Sequence, residues 1–167
     1  AAVLVPEIMR LKNGETVLLE LTISIGVLVN GIVLAEYRAD AVIVSTATGS
    51  TGYALAAGGP ILHPSSRDLV LVPVAPHLTK ANPLVLPGDG TRLRLMVERG
   101  EDSVLSIDGG PERIIESGSE VEVTLSPLTA RFLRLAGPDQ FYANLARRLG
   151  WLHADHTLGE LGPTGRA

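Results

Sequence analysis

One stretch of this chain stands apart for its chemistry: Ser45-Thr46-Ala47-Thr48-Gly49-Ser50-Thr51-Gly52-Tyr53-Ala54-Leu55-Ala56-Ala57-Gly58-Gly59-Pro60. Five of the seven residues from Ser45 to Thr51 carry hydroxyls, and the stretch holds four glycines. Hydroxyls act as hydrogen-bond donors or acceptors as a ligand demands. Glycines let a ligand come close to the backbone. Amides at the start of a helix point outward and favour a phosphate. The same residues also make ordinary strand-to-helix connections, so composition alone leaves both readings open.

Other candidates are weaker. His63 and His77 each stand beside a proline in loops, where a surface or packing role is the simpler reading. His153-Ala154-Asp155-His156 has a ligand-like spacing but no further ligands and sits in an expected tail. The chain has no cysteine. That excludes a disulfide framework and a thiolate metal site, and it fits a reducing compartment.

The elements that must position the loop read mostly as strands. Thr16–Ile23, Ile32–Arg38 and Ala41–Thr46 are rich in β-branched and aliphatic residues, and Asn30-Gly31 between apolar runs is a hairpin-turn signal because both residues tolerate positive φ. Leu69–Val74 is a continuous apolar run, as a buried strand would be. From Thr91 to Glu98 the pattern alternates, with Leu93, Leu95 and Val97 on one face and Arg92, Arg94 and Met96 on the other. Ser103–Ile107, Glu120–Leu125 and Ala130–Leu135 add three short strands, punctuated by Gly88-Asp89-Gly90, Asp108-Gly109-Gly110 and Ser117-Gly118. Two segments read as helix: Thr51–Ala57, closed by Gly58-Gly59-Pro60, and Asp139–Leu149, with Phe141, Leu145 and Leu149 on one stripe and Gly150 as the stop. The expected fold is mainly β and sandwich-like, with one short helix after the Thr-Gly-rich loop and one near the C-terminus. The expected organisation is a β-rich domain over residues 1–152 and a flexible tail over 153–167.

Hydrophobic residues make up 46% of the chain but aromatics only 4%, so the core must be aliphatic. A net charge of -4 with scattered charges argues against a general nucleic-acid binder, which would show a basic face. No apolar stretch reaches the roughly 18 residues of a membrane helix, and Ala1–Val5 is too short for a signal peptide. The expectation is a cytoplasmic protein with no membrane or nucleic-acid partner.

The order of the motifs adds a resemblance. Tyr37-Arg38-Ala39-Asp40, then Val42 through Tyr53, then Ala57-Gly58-Gly59-Pro60-Ile61 and His63-Pro64, resemble the signature of the NAD kinase family, in its C-terminal NAD-binding domain. Val72-Pro73-Val74-Ala75-Pro76-His77, Pro83–Pro87, Ser106-Ile107-Asp108-Gly109, Arg131–Leu135, Phe141-Tyr142 and Leu149-Gly150-Trp151 extend it. The motifs run from Asn30 to Trp151, and residues 1–29 match the family poorly. The resemblance implies an NAD kinase, which phosphorylates the 2′-hydroxyl of the adenosine ribose of NAD to give NADP. It also implies ATP or polyphosphate as donor, Mg2+, and assembly into dimers or tetramers.

Carried over by motif, Arg38 and Asp40 stand at the rim of the NAD site. Thr48 and Thr51 bring hydroxyls and amides to the dinucleotide, and Gly52 leaves room for it. Tyr53 offers a ring face and a hydroxyl, and Ala54, Leu55 and Ala56 line the wall. Read singly, Asp40 is a turn residue between strands, Tyr53 a rim aromatic and Arg38 a solvated cation. Ala41, Ala47 and Gly52 are small residues where the family more often has Gly, Pro and Ala. Gly110 replaces a frequent Gln, which favours reading Asp108 as a plain hairpin turn. The family's Asn-acid pair has no clean counterpart: Asn13-Gly14-Glu15 is interrupted by Gly14.

In the family the carboxylate that takes the hydroxyl proton belongs to a Gly-Gly-Asp-Gly loop of an N-terminal α/β domain, and this chain is expected to lack that half and to be inactive alone. Gly88-Asp89-Gly90-Thr91 mimics the loop but joins two strands, so it reads as a β-turn. The alternative function is a dinucleotide-binding or assembly module without kinase activity. Diacylglycerol-type kinases share a comparable two-domain plan, but the Thr46–Tyr53 string argues against them.

Overall fold

The computed structural model describes residues 2–6, 23–77, 81–98, 103–129, 133 and 140–151, with the backbone alone for 2–6. The chain divides into two compact units, Ala1–Pro127 and Leu128–Ala167. Among the described residues the first holds ten strands: β1 Ala2–Pro6, β2 Ile23–Val29, β3 Ile32–Ala39, β4 Ala41–Thr46, β5 Leu69–Val74, β6 Leu84–Leu86, β7 Arg92–Val97, β8 Ser103–Ile107, β9 Arg113–Ile115 and β10 Glu120–Thr124. Between β4 and β5 lie a 3-10 turn, Gly49–Thr51, and a short helix, α1 Tyr53–Ala56.

The strands form two antiparallel sheets, one of six strands in the order β6-β5-β4-β1-β8-β9 and one of four in the order β10-β7-β2-β3. Alternation decides how they meet. Ile23, Ile25 and Val27 of β2 and Leu93, Leu95 and Val97 of β7 turn one face of the smaller sheet inward. Val42 and Val44 of β4, Leu71 of β5 and Leu105 of β8 face them from the larger sheet, and all join one aliphatic cluster. The architecture is thus a β-sandwich, as the sequence pattern implies. Outward on β7, Arg92 and Arg94 approach Glu122 and Glu120 of β10 at 3.6 and 3.5 Å.

Two turns follow local chemistry. Asn30 and Gly31 have φ of 52° and 83°, the pair of positive values a type I′ hairpin needs. The Asn30 side chain also accepts a bond from the Arg92 amide at 2.8 Å, which ties the β2–β3 turn to the start of β7. Asp108 and Gly109 have φ of 49° and 71°, and the Gly110 amide donates to the Ile107 carbonyl, so this segment is a hairpin turn between β8 and β9.

Three strands differ from the sequence reading. β2 spans Ile23–Val29, whereas the reading placed its strand at Thr16–Ile23, of which Thr16–Thr22 lie outside the described residues. β1 and β9 have no counterpart among the strands that the sequence pattern places. Pairing on both sides defines β1, with Val3 opposite Ile43 on one flank and Ser106 on the other. The expected strand Ala130–Leu135 falls outside the described residues except for Leu133, as do Asn13-Gly14-Glu15 and the whole of 153–167.

In the second unit, α2 spans Gln140–Arg148. Arg147 and Arg148 occupy its last turn, where cations suit the helix dipole. Gly150, at φ 67°, stops it. No helix among the described residues is long and apolar enough to cross a membrane.

Candidate functional site

The Thr-Gly-rich loop leaves β4 at Thr46 and folds back over the outer face of the six-stranded sheet. Its residues divide sharply by burial. Thr48, Thr51, Gly52, Tyr53 and Ala56 are exposed, Tyr53 by 53%, while Ser50 and Ala54 are fully buried. The buried residues are the anchors. Ser50 Oγ donates to the Ala47 carbonyl at 2.7 Å and accepts from the Leu62 amide at 3.0 Å, closing the outgoing and returning arms of the loop. The Ala54 methyl packs in a second apolar cluster with Ile43, Val70 and Val72.

The helix is a single turn, shorter than the Thr51–Ala57 the sequence suggests, because Gly52 breaks the run with φ −96° and ψ −132°. Its end is closed by a Schellman pair: the Gly59 amide donates to Ala54 and the Gly58 amide to Leu55, at 2.8 and 2.9 Å. Gly58 has φ 85°, and a Cβ on Gly59 would stand 2.7 Å from the Ala54 carbonyl and 2.8 Å from Val72. One turn sums few peptide dipoles, so the anion preference expected at this helix start is weaker than the sequence implied. The chemistry on offer is the hydroxyls of Thr48 and Thr51, the Tyr53 ring and phenol, and the room left by the missing side chain of exposed Gly52, whose amide donates to Gly49 and whose carbonyl accepts from Leu55 and Ala56. Thr51 Oγ1 reaches only the Thr48 carbonyl, at 3.5 Å, a contact too long to commit it.

Arg38 and Asp40 lie elsewhere. Asp40 is the single residue between β3 of the smaller sheet and β4 of the larger, the corner where the chain changes sheets. Along β4 it is about 20 Å from Thr46, at roughly 3.4 Å per residue. The return of α1 shortens the gap, since Ala54 packs on Ile43, and Val74 borders the same cluster. The Val74 carbonyl accepts from the Asp40 amide at 3.0 Å. The predicted residues therefore form two groups: a loop group over the outer sheet face, and a corner group of Arg38 and Asp40. Leu55 is half-buried between the exposed Tyr53 and Ala56 and the buried Ala54.

The corner holds a residue that the sequence reading set aside. His77 Nε2 lies 3.2 Å from Asp40 Oδ1, and the His77 amide donates to the Arg38 carbonyl at 2.7 Å. A signal for this exists: Asp40 precedes β4 and His77 follows β5, and antiparallel neighbours bring such ends together. It becomes readable only once the β4–β5 pairing is known. His63 Nδ1 lies 2.6 Å from Ser65 Oγ, two residues along the same loop.

The mimic of the catalytic loop is a turn, as expected. The Thr91 amide faces the Gly88 carbonyl and Gly90 has φ 78°. Arg67 holds Asp89 with two bonds, of 2.8 and 2.7 Å, and this contact pushes the Asp89 carboxyl below its ordinary value. A carboxylate so held is a poor proton acceptor. Among the described residues no three His, Asp or Glu side chains converge to hold a metal ion, so they offer no donor set for the divalent metal that the resemblance implies.

Fold and site together define an antiparallel β-sandwich domain with a hydroxyl-rich loop anchored across one sheet. The family described as the ATP-NAD kinase C-terminal domain matches residues 8–135, and the chain belongs to that family. The match begins well ahead of the motifs that start at Asn30, so the first part of the chain is closer to the family than its motifs suggested. Among curated proteins, the chain is similar to the NAD kinase of Dehalococcoides mccartyi, at 42% identity over 127 residues, covering 76% of this chain and 44% of that protein. It is 47% identical over 116 residues to the NAD kinase of Chloroflexus aurantiacus, covering 70% of this chain and 42% of that one. To that of Treponema denticola it is 40% identical over 142 residues, covering 83% and 48%. The chain thus spans less than half the length of these relatives. The crystal structure of an NAD kinase from Archaeoglobus fulgidus in complex with ATP shares the fold, with a TM-score of 0.70 and 23% identity, covering 91% of this chain and 53% of that one. The crystal structure of yeast NADH kinase complexed with NADH does so with a TM-score of 0.71 and 23% identity, covering 94% and 42%.

Proposed function

We propose that this chain supplies the substrate-binding half of an NAD kinase, and that transfer of phosphate to the ribose 2′-hydroxyl of NAD needs an α/β half outside these 167 residues. The observation that carries this is the division of the loop. Ser50 ties the two arms of the loop together and Ala54 and Gly59 seat it on the sheet, so Thr48, Thr51, Gly52 and Tyr53 stand exposed on a fixed base. A pre-organised polar and aromatic surface binds without first paying to order itself. Thr48 and Thr51 hydrogen-bond the dinucleotide, Tyr53 stacks or bonds through its hydroxyl, and Leu55 and Ala56 complete the wall. Ala54 supports that wall from beneath. Arg38 and Asp40 meet a more distant part of the ligand from the corner.

Phosphoryl transfer also needs a carboxylate within reach of the hydroxyl and a metal to hold the phosphates. Asp89 is paired with Arg67 and does not serve. On this reading the base and the site for Mg2+ and ATP, or polyphosphate, come from the α/β half, and the enzyme works as a cytoplasmic homo-oligomer.

The test is a calorimetric titration with NAD beside Tyr53→Ala and Asp40→Ala. Saturable heat weakened about tenfold or more by Tyr53→Ala supports the reading; loss of one base-stacking contact costs about 1–3 kcal/mol, estimated by analogy with nucleobase stacking. An unchanged affinity in Tyr53→Ala would sink it. If the 167-residue chain shows no heat at millimolar NAD, the same variants are titrated with the α/β half joined. Binding and transfer there, with none in the chain alone, favour the kinase over a binding module that has lost kinase activity.

A further inference from the structure

We infer that His77 is a positioning residue that holds the Asp40 carboxylate in place for the dinucleotide; this rests on the reading of Asp40 as a ligand contact. The corner is fixed from both sides by the backbone. The Asp40 amide donates to Val74, and the His77 amide donates to Arg38. These bonds set the two side chains opposite each other, with Nε2 3.2 Å from Oδ1. Between Val74, the last residue of β5, and His77, Ala75 adopts φ 44°, a left-handed conformation unusual for a residue with a Cβ. That conformation bends the chain after β5 back toward the corner, and the two bonds hold it there.

The geometry assigns one carboxylate oxygen to the imidazole and leaves Oδ2 to accept from an incoming hydroxyl or carboxamide. An exposed Asp alone samples several rotamers, and ordering it costs entropy on binding. His77 removes part of that cost beforehand. The pair is about half exposed on each side, so its effect is modest.

The experiment is NAD titration of the intact protein carrying His77→Ala, His77→Gln, Asp40→Ala and the His77→Ala/Asp40→Ala double variant. Gln places an N–H close to where His77 presents Nε2. His77→Ala weakens binding about two- to fivefold, the scale of an exposed charged contact. The same change has no further effect in the Asp40→Ala background, and His77→Gln recovers most of the loss. An equal loss in both backgrounds, or no rescue by Gln in a protein whose circular dichroism is unchanged, overturns the inference. If Tyr53→Ala weakens NAD binding while His77→Ala does not, this inference alone fails. If neither variant changes binding, the reading of the site beneath it fails as well.

Discussion

Ser50 satisfies two backbone groups with one hydroxyl, and it is wholly buried while doing so. Replacing it with Ala leaves the Ala47 carbonyl and the Leu62 amide without that partner. A buried amide or carbonyl left unpaired costs about 1–3 kcal/mol. Ser50→Ala should lower stability by that amount in chemical denaturation and loosen the loop; under the proposed function, NAD affinity falls with it. Residues of this kind were partly legible. The loop's hydroxyls were visible as a group, but which stand exposed and which hold the loop was not. That distinction depends on Leu62, twelve residues on, and on the face of β4 against which Ala54 lies. The Asp40–His77 pair was illegible for the same reason, since 37 residues separate its members.

At the level of elements, the end of α1 is decided by close approach. A Cβ on Gly59 would meet a carbonyl and a valine methyl at distances real Cβ atoms do not adopt. Gly59→Ala should therefore cost about 1–3 kcal/mol, as overpacking in a tight site does. The denaturation midpoint measures it, and an unchanged midpoint would mean that a Cβ on Gly59 clears Val72 of β5. The elements that sequence reasoning found were those with a local cause: the Asn30-Gly31 turn, the alternating β7, the apolar β5. Those it missed, β1 and β9, have no local cause. Each is a short segment made regular by the neighbours it pairs with.

For the whole molecule, the sandwich was legible from the spacing of strands and turns, whereas the sorting of strands into six and four was not. It depends on every point at which the chain passes from one sheet to the other, and the one-residue corner at Asp40 is the shortest of these among the described strands. The stability of the assembled fold should show one acid-sensitive contribution from the turn before β7. The Arg67 hydrogen bond lowers the Asp89 carboxyl below its ordinary value of 3.8, so the folded state favours the charged form. That contribution is present above about pH 3.8 and is lost as pH falls through the lower folded value. Denaturation of wild type and Asp89→Asn should accordingly differ at neutral pH and converge in acid. A difference that persists below the folded value would show that Asp89 acts through turn geometry and not through charge.

β1 has a consequence for the order in which the protein can be made. It forms the middle of the six-stranded sheet, yet one of its flanks is β4 and the other is β8, about a hundred residues downstream. On a ribosome adding about 5–20 residues per second, β1 and β4 can meet early, but the far flank of β1 stays open for several seconds until β8 has emerged. During that interval the nascent chain exposes an unpaired edge in what later becomes the sheet's centre, and it is then that a chaperone or a neighbouring nascent chain would find it.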